Sequence, residues 1–208
     1  YGGPDGMQST FDRIVGLGHD RSDNHWRMEW IEQHLPPETE HVGLRKLLDI
    51  GSGLGVFLSG MTDRGWYGTG LDPDPRAVQH LVTNVLVEGV VGDFLNDDLH
   101  TLERSLGKYY LITLNKVLEH VRSPVEMLKR VRHFLGSDSW CYIEVPDAEG
   151  AARDGSEREE FFIEHHHIFS ALSINHLIDS AKFRLEALSR TREPSGKYTL
   201  RAMLRAKD

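Results

Sequence analysis

A single cysteine among 208 residues removes any internal disulfide from consideration. That residue, Cys141, lies in the apolar run Trp140-Cys141-Tyr142-Ile143 and reads as part of a central strand rather than as a nucleophile. No apolar stretch approaches the roughly 18 to 20 residues that a membrane-spanning helix needs. Basic charge is also scarce: 24 Lys and Arg stand against 32 Asp and Glu, for a net charge of -8. With no continuous basic stripe before the C-terminus, this charge argues against long nucleic acid as a partner, because phosphate backbones are held by clustered cations. Arg122, Lys129, Arg130 and Arg132 share a helical pattern with Val125, Leu128 and Val131 and form its solvated face. The opening Tyr1 to Gly6 is polar and glycine-rich, unlike a secretory signal, and lacks an initial Met, as a trimmed start would. These absences together predict a cytoplasmic protein. What is present, 39% hydrophobic residues without internal repeats, suffices for one α/β core and is short for two domains.

The most informative stretch is Lys46-Leu47-Leu48-Asp49-Ile50-Gly51-Ser52-Gly53-Leu54-Gly55-Val56-Phe57-Leu58. An apolar run ends in an acid, passes through three alternating glycines and resumes with helical spacing. Glycines accept positive φ and let backbone lie against a ligand with no Cβ between them. A dinucleotide fingerprint would read G-x-G-x-x-G, but position 56 is Val. About 20 residues after the first glycine, Trp66 to Asp72 reads as a second strand ending in an acid, suited to accept from both hydroxyls of a ribose. Asp72-Pro73-Asp74-Pro75 is equally good chemistry for starting a helix. Val90-Val91-Gly92-Asp93-Phe94 reads as a third strand with an acid beyond its end, and Asp93 also suits an ordinary turn. Tyr109 to Asn115 is an apolar strand that runs into Lys116-Val117-Leu118-Glu119-His120-Val121. Ser123-Pro124 and a helix over Val125 to Leu135 follow, then a fifth strand over Trp140 to Asp147.

These motifs, in this order over about residues 45 to 190, resemble the class I S-adenosylmethionine-dependent methyltransferases, in particular the small-molecule subgroup that acts on sugars and quinones. The resemblance implies a Rossmann-like, doubly wound α/β fold: a seven-stranded, mostly parallel sheet with helices on both faces. Its last strand would insert antiparallel between two parallel neighbours. It also implies S-adenosyl-L-methionine as cofactor, with S-adenosyl-L-homocysteine as product. Asp49, Gly51, Ser52, Gly53, Gly55, Asp72, Pro73, Asn115, Lys116 and Glu119 would then hold it, with Asp93 and Phe94 near the adenine. DNA amino-methyltransferases of this fold carry an Asn/Asp-Pro-Pro-aromatic loop where this chain has Asn115-Lys116-Val117-Leu118. A nicotinamide oxidoreductase would share the glycine loop and Asp72, but no Tyr-x-x-x-Lys pair accompanies them. A non-catalytic module that binds the same cofactor is the other alternative.

The chain is expected to form one domain. Residues 1–21 read as a loose segment, 22–35 as a helix capped by Ser22 or Asp23, 45–147 as the cofactor-binding core, 148–170 as a charged insertion, and 171–208 as a helix with two strands, Phe183 to Leu188 and Lys197 to Leu204. The insertion carries Glu164-His165-His166-His167-Ile168-Phe169-Ser170, which resembles a Glu-His-x-His-aromatic-Phe-Ser segment of the subgroup, with Ile168 departing from it. Three readings stay open. The histidines with Glu164 are metal ligands, although adjacent residues aim poorly at one ion, and no metal is expected. Alternatively, His165 and His167 fix a loop by hydrogen bonds. In the third, one of them accepts the proton that methylation of a hydroxyl releases, with His165 favoured and His120 its rival. The expected activity is methylation, at oxygen by preference, of a small polar metabolite or sugar-like intermediate. The sequence leaves the acceptor and the oligomeric state open.

Overall fold

The computed structural model describes residues 3–37, 43–162 and 164–207. Residues 1 and 2 of the segment expected to be loose, Ile163 of the insertion and Asp208 lie outside the described residues. Seven strands form one sheet: β1 (Lys46–Ile50), β2 (Tyr67–Asp72), β3 (Glu88–Val91), β4 (Tyr109–Asn115), β5 (Leu135–Pro146), β6 (Phe183–Arg192) and β7 (Tyr198–Ala206). Their order is β3-β2-β1-β4-β5-β7-β6. The first five pair in parallel, and β7 pairs antiparallel with both β5 and β6. The last strand thus lies between two earlier ones, as expected. No helix among the described residues is long and apolar enough to cross a membrane.

Side chains alternate across the sheet with period 2, and both faces are buried. Leu48, Ile50, Ile112, Leu114, Cys141, Ile143, Leu200 and Ala202 join the core on one face, with α5 (Leu99–Leu106), α6 (Pro124–Val131) and α8 (Ala171–Ser180). Leu47, Leu111, Trp140, Tyr142 and Met203 point the other way. They meet Met28 and Ile31 of α2 (Asp23–His34) and Phe57, Leu58 and Met61 of α3 (Val56–Thr62). On that second face the alternation brings polar residues into line towards the strand ends: Asp49 opposite Thr113, Asn115 opposite Glu144, and Glu144 opposite Arg201. Strands buried on both faces normally read as near-continuous apolar runs, so this polar row marks where the packing yields to chemistry.

The segment expected to be loose carries a helix, α1 (Gly3–Val15). Met7 and Phe11, one helical turn apart, are buried against Leu54, and Val85 packs beside them. Gln8 Oε1 accepts from Asn84 Nδ2 at 2.6 Å and lies 3.1 Å from His80 Nε2. The polar, glycine-rich opening hides this two-residue apolar face from a periodicity argument. Ser22 caps α2, its Oγ accepting from His25 N. The helix expected to Leu135 ends at Val131 and tightens into a 3-10 turn over Arg132–Phe134. The strand after α8 runs past Leu188 to Arg192, and the last covers Tyr198–Ala206. Within 148–170 a short helix, α7 (Ala148–Ala151), is capped by Asp147, and 3-10 turns follow.

Candidate functional site

The strand order reverses between β1 and β4, and ligands of open α/β sheets bind beyond the strand ends at such a point. There the chain turns through Gly51, Gly53 and Gly55 at φ of 72°, 52° and 75°. A Cβ on Gly51 would come 2.7 Å from Val117 Cγ2, and one on Gly55 would run into Leu81. Glycine is therefore required both for the left-handed backbone and for the room. The turn floors a cleft of about 470 Å³. Asp49 and Asn115 line it from the strands, Gly51, Ser52, Gly53 and Gly55 from the turn, Arg13 of α1 and Asn24 and Arg27 of α2 from the helices, and Leu17 from the bend between them.

Asp49 is buried, and its Oδ1 accepts from Thr113 Oγ1 at 2.7 Å and from Asn115 Nδ2 at 2.8 Å. Burial pushes its carboxyl up to about 7, outweighing these bonds and the attraction of Arg27. Ser52 Oγ and Asn115 Oδ1 are buried with no hydrogen-bond partner among the described residues. Buried polar atoms are nearly always paired, so two orphans in one cleft point to a ligand that supplies their partners. Such a turn, with an acid and two unpaired polar atoms, fits the adenosylmethionine that the sequence motifs imply.

The other expected cofactor residues divide. The Asp72 carboxylate accepts from Gly53 N and from Asp74 N, each at 2.9 Å, so it braces the glycine turn. Asp74, not Asp72, caps α4 (Pro75–His80). Pro73 lies between them. Asp93 accepts from Leu95 N, Asn96 N and Asn96 Nδ2, the pattern of a turn residue, and these bonds, the Asn96 side chain foremost, lower its pKa. The Phe94 ring is 2% exposed and packs on Phe134 at 5.3 Å, within the core. Lys116 and Glu119 do not line the glycine cleft but a second, smaller cavity of about 160 Å³.

In that second cavity His120 and His165 meet, their ring centroids 4.9 Å apart at 73°. Glu119 is fully buried, neither carboxylate oxygen has a partner among the described residues, and burial pushes its carboxyl up to about 7. The Glu119 carbonyl accepts from His166 N at 2.7 Å and His167 N at 3.2 Å, which binds the insertion to the end of β4. His167 points elsewhere, its Nε2 3.3 Å from the Arg122 carbonyl, so it fixes the loop. Lys197 lines both cavities, which are therefore neighbours.

Sequence reasoning missed the cluster beneath α2. Arg27 donates to both oxygens of the buried Glu144, and Tyr142 Oη donates to one of them at 2.6 Å. Arg201 Nη2 donates to Glu193 at 2.8 Å, and Lys116 Nζ lies 3.6 Å from Glu144 and 3.7 Å from Glu193. Burial alone would raise Glu144, but Arg27, Lys116 and Arg201 hold it well below the usual carboxylate range. The available signal was an acid at position 144 inside an apolar strand. Arg27 gave none, because it reads as an ordinary helix-surface cation.

A family model described as a methyltransferase domain matches residues 17–188. Among curated relatives, a ubiquinone biosynthesis O-methyltransferase of Paraburkholderia xenovorans is 28% identical over 118 residues, 56% of this chain and 49% of that protein. The Erwinia tasmaniensis protein of the same name is 33% identical over 104 residues, 49% of this chain and 40% of that protein. The chain thus spans about half the length of the Paraburkholderia relative. Among solved structures, a TehB-like SAM-dependent methyltransferase of Corynebacterium glutamicum superposes with a TM-score of 0.65 at 17% identity, over 99% of this chain and 98% of that one. The Burkholderia thailandensis 1,6-didemethyltoxoflavin-N1-methyltransferase, with its substrate and S-adenosylhomocysteine bound, gives 0.67 at 18% identity, over 99% and 87%.

Proposed function

The chain belongs to the methyltransferase-domain family, and from that premise we propose that it methylates a small polar acceptor, at oxygen, with S-adenosyl-L-methionine as donor. The observation that carries the reading is the glycine turn at the switch point with Asp49, Ser52 and Asn115 above it, two of them presenting unpaired polar atoms. Asp49, Ser52 and Asn115 would hold the donor, with the backbone of Gly51, Gly53 and Gly55 beneath it. The donor supplies an already activated methyl group, so the protein's task is chiefly alignment. Asp72 keeps the turn in shape through Gly53 N, and α1 and α2 line the cleft from the side opposite the sheet.

Oxygen as acceptor is supported by the second cavity and by the curated relatives, which are named as O-methyltransferases. His165 and His120 can each take the proton a hydroxyl releases, and both lie next to the donor cleft. The insertion that carries His165 is polar, which suits a hydroxylated acceptor. The fold itself does not choose the atom, since one solved neighbour is an N-methyltransferase.

Calorimetric titration with S-adenosylmethionine, S-adenosylhomocysteine and NAD tests the reading. Micromolar binding of the first two and none of the third is expected, after which hydroxylated acceptors are screened for turnover. Binding of NAD alone, or of none of the three, would overturn it.

A further inference from the structure

We propose that Glu119, His120 and His165 form a binding site for a divalent transition-metal ion of the Zn2+ or Mn2+ kind. One donor atom from each lies within 4.8 Å of the other two. Donors on a common ion, each at about 2.1 Å, are about 3 to 4 Å apart, so small side-chain rotations close the site. Two imidazoles and a carboxylate suit borderline ions better than Mg2+ or Ca2+, which prefer all-oxygen sets.

Two further observations point to an ion. The Glu119 side chain is 0% exposed and both its oxygens lack partners among the described residues. A buried carboxylate is expensive to keep unless a cation or hydrogen bonds offset it. The nearby Lys116 is turned to other work: it donates to Thr199 Oγ1 and lies against Glu144 and Glu193. The second observation concerns the histidines. His165 Nδ1 lies 3.0 Å from the Glu160 carbonyl, and His120 Nδ1 lies 3.3 Å from the Glu164 carbonyl. A carbonyl only accepts, so each Nδ1 carries the hydrogen and each Nε2 keeps its lone pair. That is how metal-binding histidines are oriented, with the second nitrogen donating to a fixed acceptor.

Adjacent histidines in the sequence aim poorly at one ion, and the structure answers that objection. Only His165 of the three takes part, and its companions come from the 3-10 turn Leu118–His120 that follows β4, a distant part of the chain. The backbone bonds from His166 N and His167 N to the Glu119 carbonyl hold the two loops in register. His120 is exposed, so the proposed ion keeps one side open to solvent or to an oxygen ligand. None of its ligands lines the glycine cleft, so donor binding does not depend on it; an Nε2 that holds the ion cannot also take the acceptor's proton, so His120 and His165 serve as the base only in the ion-free protein.

The test uses tag-free protein stripped with a chelator, then titrated with Zn2+ and separately with Mn2+ by calorimetry, without donor or acceptor. Co2+ loading followed by visible absorption reports imidazole and carboxylate ligation. One ion per chain is expected, with affinity weakened about tenfold or more in His165→Ala and in Glu119→Gln, and unchanged in His166→Ala, whose side chain is exposed and outside the trio. Each variant is checked for S-adenosylhomocysteine binding, and His120→Ala, at an exposed position, replaces any variant that fails to fold. Three results each overturn the proposal: no stoichiometric ion, an ion retained in the trio variants, or one lost equally in His166→Ala. Failure here leaves donor binding untouched, and failure of donor binding leaves the ion titration interpretable.

Discussion

Near neutral pH the Asp49 carboxyl stands at the midpoint of its titration, because burial lifts it from an ordinary 3.8 to about 7. Between those two values the folded chain holds more protons than the unfolded one. The stabilisation is complete below the lower value and is lost as pH rises through about 7. Thermal melts of the ligand-free protein are therefore expected to fall as pH rises from about 5 to about 7.5. The slope should flatten in Asp49→Asn, whose Oδ1 can still accept from Thr113 and Asn115. Ligand affinity should move the opposite way. A sulfonium and an ammonium both favour the ionised carboxylate, so S-adenosylmethionine should bind more tightly at about pH 8 than at about pH 6. Calorimetry in buffers of different ionisation enthalpy would reveal the proton released, and in the Asn variant both effects should vanish. Ser52→Ala tests the orphaned hydroxyl. Loss of one neutral hydrogen bond to the donor is worth about 1 kcal/mol, or about fivefold in Kd, with melting little changed.

At the scale of elements, α2 is fastened to the sheet through a charge cluster as well as through Met28 and Ile31. Arg27→Met would remove the bidentate partner of Glu144 and leave that carboxylate to Lys116 and Arg201. Breaking a buried pair from one side costs about 3 kcal/mol or more. A lowered denaturant midpoint is expected, and it should recover in part when Glu144→Gln is added, because the stranded charge is then gone. Most elements were legible beforehand. The alternation of apolar runs with helical spacing sufficed for β1 to β5, and the acids at 49 and 72 and the glycines between them located the strand ends. The helix α1 was not legible, and residues 1–21 read as loose, since its buried face is two residues wide. The glycine turn was recognisable in the sequence. The partition of Asn115 from Lys116 and Glu119 into separate cavities was not, because it depends on the turn after β4, where Lys116 takes φ of 57°. The meeting of His120 with His165, 45 positions apart in the sequence, rests on two loops whose path no periodicity encodes.

For the molecule as a whole, the cleft is covered by a helix that rests on few contacts. The Met7→Ala/Phe11→Ala double variant should release α1 from Leu54 and Val85 while leaving both faces of the sheet packed. The expected outcome is a severalfold loss of donor affinity and faster amide exchange over residues 3–21, with little change in the main melting transition. Similar losses in both would show that α1 is part of the central fold rather than its cover. The placement of β7 has a consequence for the order of events in time. β6 pairs with no other strand among the described residues, so it has no place in the sheet until residues 198–206 have been made. The same residues bring Arg201 to Glu144, so the buried acid receives that countercharge only once β7 is in place. A chain still on the ribosome with its end short of β7 would hold β5 open along one edge, a template for pairing with a stranger. Insertion of β7 is thus a wedge driven into the sheet, which seals the edge of β5 and brings a countercharge to the acid beside it.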